Sequence, residues 1–340
     1  MSDRGGTLVI ETSPHLASGA SVEIIMRNVV YALLPVTCFS VYLFGLPALL
    51  VLLTATISCV LAEHLLCRAA GRESTVRDWS VVITGLLYGL TLPPNLPLWM
   101  VATGGVIGVG LGKFLFGGLG YNAFNPALVG RAFLQAAFPA AMTSWHPALL
   151  EQRFTALPAS TLTFPFARPE YDGLTAATPL AQMKFDQLST PANDLLLGMT
   201  AGSTGETGAL LILLGGAWLV ARNMMNWRIP AAIFATVAVL SAVMHWALPE
   251  QYPGPVFMLL SGGLMLGAVF MATDMVASPI TARGVVLYGI LIGVLVVVIR
   301  LWGGMPEGVM YAILLANAVS PHIDRLVQPR VFGTARRSTS

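Results

Sequence analysis

The chain has 340 residues, of which 56% are hydrophobic and only 10% are charged. A soluble domain is usually about 25% charged, and the mean hydropathy of +0.75 excludes that class. The net charge of +2 is close to neutral, and no basic run interleaved with aromatic residues indicates a nucleic-acid partner. The composition therefore predicts an all-α polytopic membrane protein whose immediate surroundings are lipid.

Residues 1–23 are polar and lack the apolar core of a signal peptide. We therefore expect the first span to act as the insertion signal. The three cysteines, Cys38, Cys59 and Cys67, lie in or beside apolar stretches and show no C-x-x-C spacing. Such cysteines are typical packing residues, so we expect neither an iron–sulfur centre nor a disulfide.

A bilayer crossing takes roughly 20 apolar residues, and ten stretches of the chain are candidates. In chain order they are 27–45, 47–67, 78–93, 97–116, 124–141, 207–221, 229–248, 255–273, 284–302 and 306–320. Several are short or broken by Gly or Pro, which helices in lipid tolerate. The sequence therefore predicts about ten transmembrane helices.

Lysine and arginine accumulate on the cytoplasmic side of membrane proteins. With a cytoplasmic N-terminus, the ten spans place all but four of the 18 basic residues on one side. The four exceptions are Arg153, Arg168, Lys184 and Arg300. This bias predicts cytoplasmic termini and an outward-facing polar segment.

The predicted order is a cytoplasmic N-terminal segment, a first membrane half, an extracytoplasmic segment, a second membrane half and a cytoplasmic basic tail. Their bounds are 1–26, 27–141, 142–206, 207–320 and 321–340. Five spans per half would relate the halves by inverted topology, as in many transport proteins. The support in the sequence is a polar break in each half, over 117–126 and 273–279.

Residues 172–178 read Asp-Gly-Leu-Thr-Ala-Ala-Thr. They resemble the signature Asp-x-x-(Ser/Thr)-x-Ala-Thr, at which a dedicated transferase links FMN to the last threonine through a phosphoester. An alternative is purely structural: Asp172 and Gly173 form a turn, and Thr178 caps a helix that begins with Pro179. The spacing alone leaves both interpretations open.

Two further polar stretches are candidates for ligand contacts. Asn122 and Asn125 lie in a Gly-rich Asn-Pro break, where they either bind the polar edge of a flavin or cap the fifth helix. Gly202–Thr207 offers Ser203 and Glu206 beside glycines, which let backbone approach an anion. The alternative for that stretch is a flexible linker that ends in a helix cap at Thr204 or Thr207.

Ionisable residues within spans are costly and tend to be functional. Asp274, in the break after the eighth span, is a candidate for the path of a transported ion, or it forms a structural ion pair with Arg283. Glu63 is a second candidate, although it and His64 lie near a span end, where side chains reach the interface. His245 is expected at the outer interface.

Taken together, these motifs resemble one family, which contains the D subunit of the Rnf electron-transport complex and the B subunit of the Na⁺-translocating NADH:quinone oxidoreductase. The resemblance rests on the attachment signature, on residues 118–127 and 202–207, and on the break at 273–279, and it covers roughly residues 20–330. Asp172 matches the acidic position of the signature and Ala177 the small residue before the acceptor. At position 176, where the family often has Ser or Gly, the chain has Ala.

The resemblance implies ten transmembrane helices in a fold related to urea transporters, in a bacterial inner membrane. It implies FMN bound covalently at Thr178 and a non-covalent riboflavin within the membrane domain. The implied partners are the other membrane and peripheral Rnf subunits, including a second covalent-flavin subunit, and a flavin transferase. The implied activity, electron transfer between ferredoxin and NAD⁺ coupled to Na⁺ or H⁺ movement, belongs to the whole complex and not to this chain alone.

A rival interpretation from another class is a urea-transporter-like channel or carrier without a redox role, since Gly-rich broken helices suit that function equally well. A third is a purely structural membrane subunit. The attachment signature discriminates between them, because a channel does not need it. The sequence does not distinguish Na⁺ from H⁺.

Overall fold

The structure is a computed structural model that describes residues 21–165, 167, 176–206 and 208–329. Every regular element in these ranges is helical. The first half contains α1 (Val22–Phe44), α2 (Leu46–Ala69), α3 (Ser80–Leu90), α4 (Leu98–Val109), α5 (Pro126–Ala137) and α6 (Pro139–Met142). The connecting segment contains α7 (Pro179–Ala181) and α8 (Ala192–Leu197). The second half contains α9 (Ala209–Ala221), α10 (Arg228–Ala247), α11 (Pro255–Leu260), α12 (Leu264–Leu266), α13 (Ala282–Trp302) and α14 (Val309–Leu326).

The described helices follow the predicted spans closely. Four of them, α1, α2, α10 and α13, are long and apolar enough to cross a membrane. Three more, α3, α4 with its extension, and α9, are shorter apolar helices of 10–17 residues. The coarser prediction of an all-α membrane protein is therefore confirmed, while the number of spans stays a prediction.

Helix starts follow local chemistry. Ser21 caps α1 by accepting a hydrogen bond from Ile24 N, and Thr281 caps α13 in the same way from Gly284 N. Asn125 caps α5, which begins with Pro126. A side-chain acceptor followed by proline at the first helical position is a strong start signal.

Within each half, helices pack as neighbours: α2 on α3 and α4, α4 on α5, and α10 on α13. The approach of α4 to α5 is close, because a Cβ on Gly130 would lie 2.7 Å from the carbonyl oxygen of Gly104. The halves meet where α1 packs on α9 and α5 on α14. One continuous apolar core runs through both halves, with members from Ala32 to Ile323.

Three helices change to π-helical geometry in their last turn. The segments are Gly110–Phe114 after α4, Gln182–Asp186 after α7 and Gly267–Met271 after α12. Such wide turns often occur at functional sites. The eighth predicted span is also interrupted at Ser261–Gly263, between α11 and α12, a break that the sequence analysis did not place.

Candidate functional site

Thr178 occupies the N-cap of α7 and is 8% exposed. Its Oγ1 accepts a hydrogen bond from Ala181 N at 3.2 Å, and Pro179 is the first helical residue. The structural interpretation of this threonine is thus confirmed. It does not conflict with flavin attachment, because the same oxygen would carry the phosphoester.

Thr178 lines a cavity of about 80 Å³, which we call the outer cavity because its segment is predicted to face outward. Its lining includes side chains from distant parts of the chain: Arg131 on α5, Trp145, Glu206, Glu307 ahead of α14, and Tyr311 on α14. Ala177, the residue before the acceptor, is exposed. Asp172 and Gly173, the other two motif residues predicted to contribute, lie outside the described residues.

Lys184 fixes the short helix that follows Thr178. Its ammonium group donates hydrogen bonds to the carbonyl oxygens of Arg300 and Met305, at 3.0 and 3.2 Å, and to that of Gly303. Burial lowers the pKa of the Lys184 ammonium from its ordinary value. These bonds satisfy carbonyls at the end of α13 and hold the Thr178 helix against that helix.

Arg131, Glu206 and Glu307, which line the outer cavity, form a charge cluster with Arg300. Arg300 is 3% exposed and donates to Met258 O, to Ser261 O and to the Glu307 carboxylate at 3.2 Å. Arg131 is 8% exposed, and its Nε has no hydrogen-bond partner. Arg131 is close enough to both carboxylates to interact with them electrostatically.

The two carboxylates of the charge cluster are not equally satisfied. Glu307 accepts backbone hydrogen bonds from Gly263, Gly308 and Val309 at 2.9 to 3.0 Å, in addition to Arg300. Glu206 accepts one backbone bond, from Ser203 N at 3.3 Å. Glu307 is therefore held firmly in its ionised form, whereas Glu206 has little to replace the water it has lost.

The break between α11 and α12 brings the carboxylates together. Gly263 N donates to Glu307 Oε2, and a Cβ on Gly263 would lie 3.4 Å from Glu206 Oε1. Gly262 adopts a φ of +66°, in the left-handed region that favours glycine. The backbone conformation at this break therefore lets the carboxylates of Glu206 and Glu307 approach the same glycines.

Residues 203–206 pack against the end of α3. Thr204 donates from its backbone to Leu92 O at 3.1 Å and from its hydroxyl to Gly89 O at 2.8 Å. The predicted role of Thr204 as a cap of the following helix is therefore wrong, because α9 begins after Gly208. Thr207, the other predicted cap, is not among the described residues.

A second cavity, of about 130 Å³, is called the inner cavity after the predicted orientation of the chain. Asn122, Asn125 and Asp274 line it, together with Lys113 and Ser80. Asn122 Nδ2 donates to Asp274 Oδ2 at 3.2 Å. Asn122 and Asn125 belong to one predicted break and Asp274 to the other, and the structure brings the two breaks together.

Asn125 has two structural roles. Its Oδ1 caps α5 by accepting from Ala127 N and Leu128 N, as the capping interpretation predicts. Its Nδ2 donates to Met271 O at 3.3 Å. Met271 and Leu128 line a small cavity of about 10 Å³ that also touches Arg131, Glu206 and Glu307, so Asn125 lies between the inner cavity and the charge cluster.

Glu63 does not reach toward an interface, as one interpretation proposed. It forms a buried ion pair with Lys113 of the π-helical turn, at 2.7 Å, and the side chains are 3% and 4% exposed. Lys113 also donates to Ser80 Oγ at 2.7 Å, and Thr75 donates to Glu63. His64 is exposed and contacts Ser74.

Two further predictions require correction. Asp274 is not paired with Arg283: its partners among the described residues are Asn122 and the backbone N–H of Val276. Arg131 was predicted on the cytoplasmic side and Thr178 on the outer side, yet both line the same cavity. The orientation of the chain itself stays a prediction.

Sequence reasoning missed Arg131, Glu307 and Lys113 as site residues. A signal was present for Lys113 and Glu307, since both are ionisable residues within predicted apolar stretches. Arg131 is also an ionisable residue within a predicted apolar stretch, but its position at the outer cavity depends on tertiary packing and not on local sequence.

Comparison with known proteins gives one consistent result. The family model described as NQR2, RnfD, RnfE family matches residues 9–333. The D subunit of a proton-translocating ferredoxin:NAD(+) oxidoreductase complex, from Clostridium ljungdahlii, is 40% identical over 96% of each chain. The D subunit of a Na(+)-translocating complex of the same kind, from Acetobacterium woodii, is 38% identical over 97% of this chain and 96% of that one.

A third relative is the D subunit of an ion-translocating oxidoreductase complex from Stutzerimonas stutzeri, which is 41% identical over 94% of each chain. The names of the first two relatives differ in the ion that is moved. Similarity of this degree is therefore shared by proton-translocating and Na⁺-translocating complexes, and it does not identify the ion.

Proposed function

Because the chain belongs to the NQR2, RnfD, RnfE family, we propose that it is the D subunit of an ion-translocating ferredoxin:NAD⁺ oxidoreductase. Its part in that complex is to relay electrons through flavin and to contribute to the ion path. The observation that carries this proposal is Thr178, a helix-capping hydroxyl at the wall of a buried cavity that also contains Arg131. The relatives support the translocase interpretation and give no support to the channel or to a purely structural subunit.

The residues around Thr178 fit a covalently attached FMN. The Thr178 oxygen would carry the phosphoryl group, and Trp145 and Tyr311 offer ring faces to an isoalloxazine. The unpartnered Nε of Arg131 is a buried donor that a flavin oxygen or nitrogen would satisfy. FMN bound there supplies one-electron transfer, which none of these side chains performs alone.

We propose that the inner cavity holds a second, non-covalent flavin, riboflavin. Asn122 and Asn125 present amide groups to a lining that is otherwise mostly apolar, with Phe270 and Met225 among its members. Apolar walls with a few fixed polar groups are typical of cofactor sites. Asn125 lies between the inner cavity and the charge cluster, and the cluster lines the outer cavity. These residues therefore lie between the two proposed flavins of one electron-transfer path.

Asp274 and Glu63 are the proposed contributors to the ion path. Asp274 and Lys113 both line the inner cavity. Glu63 is linked to this cavity because it accepts a hydrogen bond from Lys113. A change of charge on a ligand in that cavity acts across a low-dielectric region, where Coulomb interactions are strong. Lys113 and Asp274 are therefore placed to respond to the redox state of the site.

We further propose ten transmembrane spans in a five-plus-five inverted repeat of urea-transporter-like architecture, with both termini cytoplasmic in a bacterial inner membrane. The interrupted helices support this, since repeats of that kind place broken helices at the central site. Thr178 then faces outward, within reach of a flavin transferase and of a second covalent-flavin subunit. Other membrane and peripheral Rnf subunits would bind ferredoxin and NAD(H).

In-gel flavin fluorescence of the denatured chain tests the proposal. The full-length chain is co-expressed with a flavin transferase, and wild type is compared with Thr178→Ala. The matched control is Thr155→Ala, which removes an exposed threonine of the same segment. We expect fluorescence in wild type and control but not in Thr178→Ala. A dark wild-type band, with the transferase active on another substrate, would contradict flavin attachment.

A further inference from the structure

We propose that Glu206 is a proton-binding group coupled to the charge on the flavin at Thr178, and that Arg131 is its electrostatic counterpart. This inference rests on the proposed function, because it needs a flavin in the outer cavity. It goes beyond that function by assigning separate roles to the four side chains of the charge cluster.

The first step is the charge balance of the cluster. Two carboxylates, Glu206 and Glu307, face two guanidinium groups, Arg131 and Arg300, so these four side chains carry no net charge when both acids are ionised. Arg300 donates to Glu307 and to two backbone carbonyls, while its Nε has no hydrogen-bond partner among the described residues. The Nε of Arg131 is unpartnered as well, and of the two guanidinium groups only that of Arg131 lines the outer cavity.

The second step is the difference between the two acids. Glu307 has three backbone donors and a guanidinium group around it, which stabilise its ionised form. Glu206 has one long backbone bond. The fully buried Ser203 Oγ lines the small cavity beside Glu206 and has no hydrogen-bond partner. Of the two carboxyls, Glu206 is therefore the one that can take up a proton without losing many hydrogen bonds.

The third step is the coupling. Negative charge added in the outer cavity attracts the Arg131 guanidinium and weakens its interaction with the Glu206 carboxylate. Glu206 then binds one proton from water that reaches the cavity, and the resulting charge of +1 on the cluster balances the electron added to the flavin. The electron comes from a reduced neighbouring flavin in the complex, or from dithionite in a titration. No bond of the chain is broken, and the proton returns to water when the electron leaves.

Among the described residues, four ionisable groups face Glu206. They are Arg131 from α5, Glu307 ahead of α14, Arg300 from α13 through Glu307, and the Tyr311 hydroxyl across the outer cavity. Since Arg300 and Glu307 are bonded to each other, a pH response of this site is expected to originate at Glu206.

Redox-induced infrared difference spectroscopy tests the assignment directly on the carboxyl group. The full-length, flavin-loaded chain is reduced with dithionite in detergent, and Thr178→Ala identifies the signals that depend on the attached flavin. We expect a protonated-carboxyl band to appear on reduction in wild type and to be absent in Glu206→Gln. Glu250→Gln, at an exposed carboxyl after α10, should keep the band. A wild-type spectrum without such a band would overturn the proposal.

The midpoint potential of the same flavin gives a second readout. Glu206→Gln removes a negative charge, so the potential should shift to a more positive value and depend less on pH. Arg131→Gln removes a positive charge, so the potential should shift to a more negative value. Unchanged potentials in fluorescent, folded variants would overturn the coupling. Loss of fluorescence in wild type would instead contradict flavin attachment, so the two failures are distinguishable.

Discussion

Asn122 and Asp274 are joined by a hydrogen bond of 3.2 Å between Nδ2 and Oδ2, although 152 residues separate them in the chain. Each residue lies at a break in a helix, one ahead of α5 and the other after the turn that ends at Met271. The bond therefore ties the first half of the chain to the second at the wall of the inner cavity. Substitution of either residue should therefore affect the coupling between electron transfer at this cavity and ion transport.

The charge of Asp274 is expected to matter more for ion transport than for electron transfer. Asp274→Ala removes both the charge and the acceptor for Asn122, whereas Asp274→Asn removes the charge and keeps an acceptor. We expect both variants to lower the number of ions moved per electron. Asp274→Asn should reduce the flavin content of the chain less than Asp274→Ala does. The measurement is the ratio of ion uptake to ferredoxin oxidation in vesicles that contain the complex.

Asp194→Asn is the control, since it alters an exposed acid of the outer segment. It should leave the ratio unchanged. An unaltered ratio in both Asp274 variants would remove this residue from the proposed ion path.

The buried pair between Glu63 and Lys113 should behave differently from a surface ion pair. Removing one partner leaves an uncompensated buried charge, which costs about 3–5 kcal/mol. We expect Glu63→Gln and Lys113→Met each to lower the thermal unfolding temperature markedly. The double variant should recover most of the loss, because no charge is then left buried alone.

The matched comparison is Glu23→Gln, which breaks the exposed pair between Glu23 and Arg27 on α1. Pairs of that kind contribute about 0.2–0.5 kcal/mol, so the unfolding temperature should barely move. Equal effects at the two pairs, measured in one detergent, would contradict the buried character of the Glu63–Lys113 pair.

The sequence was informative where chemistry is local. The apolar stretches agree with the helices to within a few residues, and the start signal Thr178-Pro179 is observed as predicted. The pairing of Glu206 with Glu307 was not predictable, because it depends on how the break at Ser261–Gly263 folds between distant segments. The same holds for Arg131. Its place in the fifth predicted helix follows from the sequence, but the cavity that its side chain lines does not.

Gly262 is expected to be intolerant of substitution. Its φ of +66° disfavours any side chain, and a Cβ there would clash with Glu307 and Leu180. Overpacking alone costs about 1–3 kcal/mol, so Gly262→Ala should lower both the unfolding temperature and the fluorescence of the attached flavin. Gly254→Ala is the control, because a Cβ at Gly254 meets no atom within 4 Å. Similar losses in both variants would contradict a specific constraint at the break.

The two roles of Thr178 can be separated by substitution. Asparagine is as good an N-cap as threonine but has no hydroxyl for a phosphoester. We expect Thr178→Asn to lose the attached flavin and to retain the stability of the flavin-free wild-type chain. Thr178→Ala should lose the flavin and also about 1 kcal/mol from the lost cap. The measurement is thermal unfolding of each chain expressed without the transferase, which removes any contribution of the flavin.

A Thr178→Asn chain as unstable as Thr178→Ala would mean that the bond from Ala181 N to Thr178 does not stabilise the short helix. A fluorescent Thr178→Asn band after co-expression with the transferase would place the flavin on another residue.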